Sequence, residues 1–183
     1  MPLSPATPRR SVHSRRIELD GSRRDDGLWE FEAHLTDARP YDSRSRWRGT
    51  VPAGEAIHEM WLRLTLDDDF VIQGVEAVTD ASPFPGCPLG TTAFQKLVGL
   101  RVGPGWIKRV RARIRNVEGC THLMELLRPV ATVAYQTLLA DDRGLSVSAR
   151  GEPALVDSCY SWHAEGEAVV AAIYPAWRRA GRE

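Results

Sequence analysis

Two stretches of strict alternation constrain this chain more than anything else in it. In LWEFEAHLTD, Trp29, Phe31, Ala33 and Leu35 alternate with Glu30, Glu32, His34 and Thr36. In AIHEMWLRLTLDDDF, His58, Met60, Leu62, Leu64 and Leu66 share one face, and Glu59, Trp61, Arg63 and Thr65 share the other. Successive side chains of a strand point to opposite faces, so each stretch reads as a strand with one side buried. The acidic run at 67–69 makes a turn, and VIQGVEAVTD returns as the hairpin partner. SVHSRRIELD, closed by a turn at Gly21, precedes them as another strand. The prolines and arginines of residues 1–11 read as a flexible tail, and 40–54, rich in Asp, Ser, Arg, Gly and Pro, as a loop.

After SPFPGCP the period changes to that of a helix. TTAFQKLVGL predicts a short helix ended by Gly99. GWIKRVRARIR sets Trp106, Ile107, Val110 and Ile114 at helical spacing. CTHLMELLRPVATVAYQTLLAD aligns Cys120, Leu123, Leu127, Val130, Ala134 and Leu138 on one stripe, with Pro129 expected to kink it. A short extended piece and a short helix from about residue 165 follow. Strands first and helices afterwards predict an α+β fold. It is an antiparallel sheet of three to four strands with helices packed on one face, forming a single domain over 12–183.

Composition narrows the function classes. Lys plus Arg and Asp plus Glu number 24 each, so the whole surface is not built for nucleic acid or anionic lipid. The partner itself stays open, with a small-molecule substrate and a protein both compatible with this composition. The cations are nearly all Arg, as in a GC-rich bacterial genome. Three cysteines are too few for a disulfide framework, and no apolar run could span a bilayer. The N-terminus lacks the apolar stretch of a secretory signal, which makes the cytoplasm the expected compartment.

Chemistry is expected where thiols and imidazoles meet element boundaries. Cys120 opens the long helix, where unpaired N–H groups and the helix dipole favour a thiolate. Cys87 stands at the junction from the last core strand to the first helix. His58 is an imidazole on an apolar strand face and needs a partner; two thiolates and a metal would satisfy it. Each has a plainer reading, the cysteines as small core hydrophobes and His58 as a core imidazole bonded to a carbonyl. Cys159 and His122 are the candidates for a fourth ligand. Asp26, His34 and Asp37 form a weaker metal set. The run Lys108, Arg109, Arg111, Arg113 and Arg115 could meet phosphate, or simply face solvent. No Walker loop, GxGxxG, GxSxG or HExxH is present.

Three boxes, RRDDGLWEFEAHLTD, HEMWLRLTLDDD and GCTHLMELL, resemble those of a bacterial family known only as a domain of unknown function. That resemblance implies no activity. From Ala56 to about Asp141 the order of elements is also similar to iron–sulfur scaffold proteins of the IscU/NifU type. There Gly86–Cys87 matches a Gly-Cys at the strand-to-helix junction, and Cys120 matches the helix cysteine. Ala56 stands in place of that family's first cysteine, and His58 in place of its aspartate. The resemblance implies a Cys₂His set, His58, Cys87 and Cys120, for zinc or an iron–sulfur centre, with one position open. The expected function is metal binding in an unassigned pathway. The alternatives are a small metal-dependent enzyme using the open position, and a metal-free accessory or binding domain.

Overall fold

The computed structural model describes residues 3–140, 156–164, 170 and 172. The chain forms two compact units, Met1–Ala134 and Tyr135–Glu183.

The first unit is built on a four-stranded antiparallel sheet in the order β1 (Ser14–Arg23), β2 (Trp29–Ala38), β5 (Ala56–Leu66), β6 (Ile72–Ala81). It is thus an α+β fold, as the alternation predicts. The register stacks the apolar faces directly: Trp29 opposite Leu66, Phe31 opposite Leu64, Ala33 opposite Leu62 and Leu35 opposite Met60. All eight side chains are buried. Cross-strand apolar pairs of this kind hold a sheet together, at roughly 0.2–1 kcal/mol each beyond the burial itself.

Two local expectations are corrected. The first turn falls not at Gly21, which pairs within the ladder with Phe31, but at residues 24–28. There Gly27 takes a left-handed backbone (φ 87°) that L side chains resist. Asp26 Oδ1 accepts the Leu28 N–H at 3.2 Å and closes that turn. The stretch at 40–54 is not structureless: β3 (Ser43–Ser45) and β4 (Gly49–Val51) pair antiparallel and bury Val51. Three-residue strands are too short to show a period.

Helical turns cover the apolar side. A 3₁₀ segment, Cys87–Leu97, buries Phe94 and Leu97 and begins earlier than the apolar pattern predicts. Helix α1 (Trp106–Arg113) buries Trp106 and Val110. Its basic run serves the fold in part: Arg109 caps the carbonyls of Pro104 and Arg101, and Arg113 those of Lys96 and Val98. Helix α2 (Thr121–Ala140) contains Pro129 and buries Leu123, Leu126, Leu127, Val130, Ala131 and Ala134, a broader stripe than expected. Its entry is set by Gly119, where a Cβ would lie 2.7 Å from Ile114 Cγ2. We expect Gly119→Ala to cost about 1–3 kcal/mol through overpacking, read as a lower urea midpoint; an unchanged midpoint would show that Ile114 yields freely.

In the second unit, Cys159 is exposed and precedes a 3₁₀ turn, Tyr160–Trp162. Asp157 Oδ1 accepts the Ala164 N–H at 2.9 Å. The helix expected from about residue 165 falls largely outside the described residues. No described helix is long and apolar enough to cross a membrane.

Candidate metal centre

The apolar ladder of β2 and β5 ends in a polar rung. Beyond Leu35 and Met60, the next inward positions are Asp37 and His58, directly opposite each other in register. On the other side of β2, Arg15 of β1 is the register partner of Asp37. Three adjacent strands therefore place Arg15, Asp37 and His58 side by side. Alternation turns Asp37 toward the core as surely as it turns Leu35, and register sets it between Arg15 and His58.

Asp37 is 1% exposed and is the buried charged residue among the described ones. A buried carboxylate is tolerable only if bonded and paired. Arg15 grips it with both arms of the guanidinium, Nε to Oδ1 at 2.8 Å and Nη2 to Oδ2 at 2.7 Å. His13 Nε2 stands 3.3 Å from Oδ1, and His58 Nδ1 stands 3.0 Å from Oδ2. Arg15 also reaches Glu125 of α2 through Nη1. Burial pushes the Asp37 pKa up, but the hydrogen bonds and charge of Arg15, helped by His13 and His58, outweigh it and bring the carboxyl down to about 2.

That depression has a signed consequence for the metal-free chain. The folded pKa lies below the unperturbed 3.8, so the stabilisation is fully present above the unfolded value and is lost as pH falls toward 2. We expect thermal stability to carry an acid-sensitive component of about 2 kcal/mol that disappears between roughly pH 4 and pH 2. Asp37→Asn should lack it. An acid profile identical in the two proteins would show that Asp37 is not the group responsible.

His122, in the first turn of α2, lies against His58 with ring centroids 3.9 Å apart and the ring planes tilted by 33°. Its Nε2 lies 4.0 Å from Asp37 Oδ2. One ligand atom from each of Asp37, His58 and His122 can be chosen so that all lie within 4.8 Å of one another. Tetrahedral ligands at zinc distances sit about 3.3 Å apart, so the three side chains would have to draw closer to hold one ion. Burial lowers the pKa of both histidines. For His58 the second cause is the neighbouring His122, and for His122 it is Arg15; Asp37 opposes both shifts without cancelling them. Both rings are therefore neutral at pH 7, with a nitrogen lone pair available to a cation.

The two histidines open on a cleft of about 400 Å³, which Cys87 and Cys120 also line. Cys120 stands just ahead of α2, its Sγ 3.9 Å from His122 Nδ1 and 3.7 Å from Met60 Sδ. The structure thus gathers His58, Cys87, Cys120 and His122 around one cleft. The three-ligand convergence itself uses Asp37 and His122 with His58, and no described thiol belongs to it.

The alternative set does not come together: Asp26 pairs with Arg24, and His34 lies flat on Trp61 on the outward face, away from Asp37. His122, a candidate fourth ligand on sequence grounds, is one of the three residues that converge. Asp37 carried a legible signal, since the alternation Trp29, Phe31, Ala33, Leu35 continues onto it.

A family model described as "Protein of unknown function (DUF2889)" matches residues 13–136. The chain belongs to this family. The matched stretch opens on His13 and takes in the whole cluster, Arg15, Asp37, His58 and His122, together with Cys87 and Cys120; Cys159 falls beyond it. Neither a curated protein nor a solved structure matches this family member.

Proposed function

We propose that the protein binds a single zinc ion through Asp37, His58 and His122, with a further coordination position facing the cleft. The observation that carries this reading is the convergence of a buried, ionised carboxylate and two neutral imidazoles within 4.8 Å. Two imidazoles and one carboxylate form a donor set used by mononuclear zinc, and by non-haem iron when positions are left open. An iron–sulfur centre asks for thiolates, which this set lacks. Metal would take the place of the proton between His58 Nδ1 and Asp37 Oδ2, and the imidazole would then carry its proton on Nε2. Arg15 and His13 hold the carboxylate in place, the kind of outer support that metal ligands commonly have.

An ion with three protein ligands and an open site beside a cleft can polarise a carbonyl or lower the pKa of a bound water. The reading therefore favours a small metal-dependent enzyme over a closed structural zinc. A second arrangement, His58 with Cys87 and Cys120, is favoured by their common place on the cleft wall.

Cobalt(II) substitution separates the two. With Asp37, His58 and His122 as ligands, the cobalt protein should show ligand-field bands of low coordination number without an intense sulfur-to-metal charge-transfer band, and Cys87→Ser should leave the spectrum unchanged. A strong charge-transfer band lost in Cys87→Ser and Cys120→Ser would replace the proposed set with the thiolate one.

A further inference from the structure

A second concavity, of about 230 Å³, is built by the short hairpin of β3 and β4. Arg39, Arg44, Arg46 and Arg48 line it with Trp47 and Phe84, and no acidic residue does. Phe84 also lines the cleft of the two histidines. Arg48 is committed to the fold: it bonds Glu55 Oε1 at 2.6 Å and the Ala56 carbonyl at 2.8 Å. Arg39, Arg44 and Arg46 have no carboxylate partner among the described residues, whereas Arg15, Arg23, Arg24 and Arg63 each do. Guanidinium groups gathered around one hollow without counter-charge create a positive potential that an anion relieves.

The aromatic residues add a second requirement. Trp47 is 55% exposed and Phe84 52% exposed, although both are large apolar rings. They meet edge to face at 5.2 Å, and the Arg46 guanidinium sits 5.7 Å from the Trp47 ring centre. Ser45 Oγ accepts the Trp47 and Arg48 N–H groups at 3.4 and 3.2 Å, so the turn that presents Trp47 is held by its own bonds. Rings kept at the rim of a basic hollow offer a flat ligand both stacking and cation–π contact.

We propose that this pocket binds a small aromatic phosphate, its ring against Trp47 and Phe84 and its phosphate among Arg39, Arg44 and Arg46. Three unneutralised guanidiniums suit a dianion with several acceptor oxygens better than a carboxylate. The small, half-open hollow and the balanced charge of the chain suit a small ligand rather than a polyanion, which needs an extended basic stripe. The site does not depend on metal.

Isothermal titration calorimetry of the full chain, in the presence of a metal chelator, tests it with phenyl phosphate and AMP as probes. At least one should bind with a dissociation constant below about 1 mM, and about tenfold more tightly than benzoate or inorganic phosphate. Which of the two binds better tells a simple aryl phosphate from a nucleotide. Arg44→Gln combined with Arg46→Gln, and separately Trp47→Ala, should each weaken binding about tenfold. Arg16→Gln, an exposed substitution on β1, should leave it unchanged, with circular dichroism confirming the fold of every variant. Absence of binding by both probes, equal binding of benzoate, tighter binding of an oligonucleotide, or variants that bind like wild type would each overturn the proposal. Because chelator is present throughout, failure of the zinc site would not alter these outcomes.

Discussion

Asp37→Ala should lower the stability of the metal-free chain by about 2 kcal/mol. The residue is small and close to an edge of the apolar ladder, so lost packing is a minor part of the cost. The larger part comes from what is left behind. Arg15 loses both of its bonds to the carboxylate, and His13 and His58 lose the acceptor they share. Removing the buried carboxylate takes the shared acceptor from a partly exposed guanidinium and two imidazoles, and that cost exceeds the net worth of the bonds themselves. The check is equilibrium urea unfolding of both proteins in chelator. A loss below about 1 kcal/mol would mean that water or Glu125 satisfies Arg15 as well as Asp37 does.

The same residue shows how far sequence could lead. The ladder from Trp29 to Leu35 and from Met60 to Leu66 was legible because burial on one face imposes a period of two, and the hairpin with β6 followed from it. The position of His58 on the buried face was legible for the same reason. What it faces there was not, since that depends on register between strands, which local pattern does not specify. Register puts Asp37 opposite His58 and Arg15 opposite Asp37, and so turns three separate polar residues into one network. Running the alternation one step past Leu35 would have placed Asp37 inward, and an inward carboxylate always needs explaining.

His122 was a fourth-ligand candidate in sequence, but its place among the three converging residues was not legible. Its approach to His58 depends on where α2 begins and on the close packing of Gly119 against Ile114, and a one-residue shift of helix start moves every side chain of the first turn. The cysteines were conspicuous in sequence because thiols at element boundaries are a recognisable pattern, and Cys87 and Cys120 do line the cleft. The basic pocket gave no signal at all, because the strands that build it are three residues long.

The central claim is that Asp37, His58 and His122 hold one metal ion, and the second large effect follows from it. His58→Ala and His122→Ala should each lower zinc affinity by at least about a hundredfold, because a site with three protein ligands has no spare donor. Both substitutions spare the Arg15–Asp37 pair, so both variants should remain folded by circular dichroism. The most direct measurement is elemental analysis of untagged full-length chain, stripped with chelator, reloaded with zinc and freed of excess metal, alongside these two variants and Cys159→Ser. Wild type and Cys159→Ser should hold stoichiometric zinc, and His58→Ala and His122→Ala almost none. Wild-type chain that takes up no zinc, or histidine variants that retain it in full, would rule out the three-ligand site.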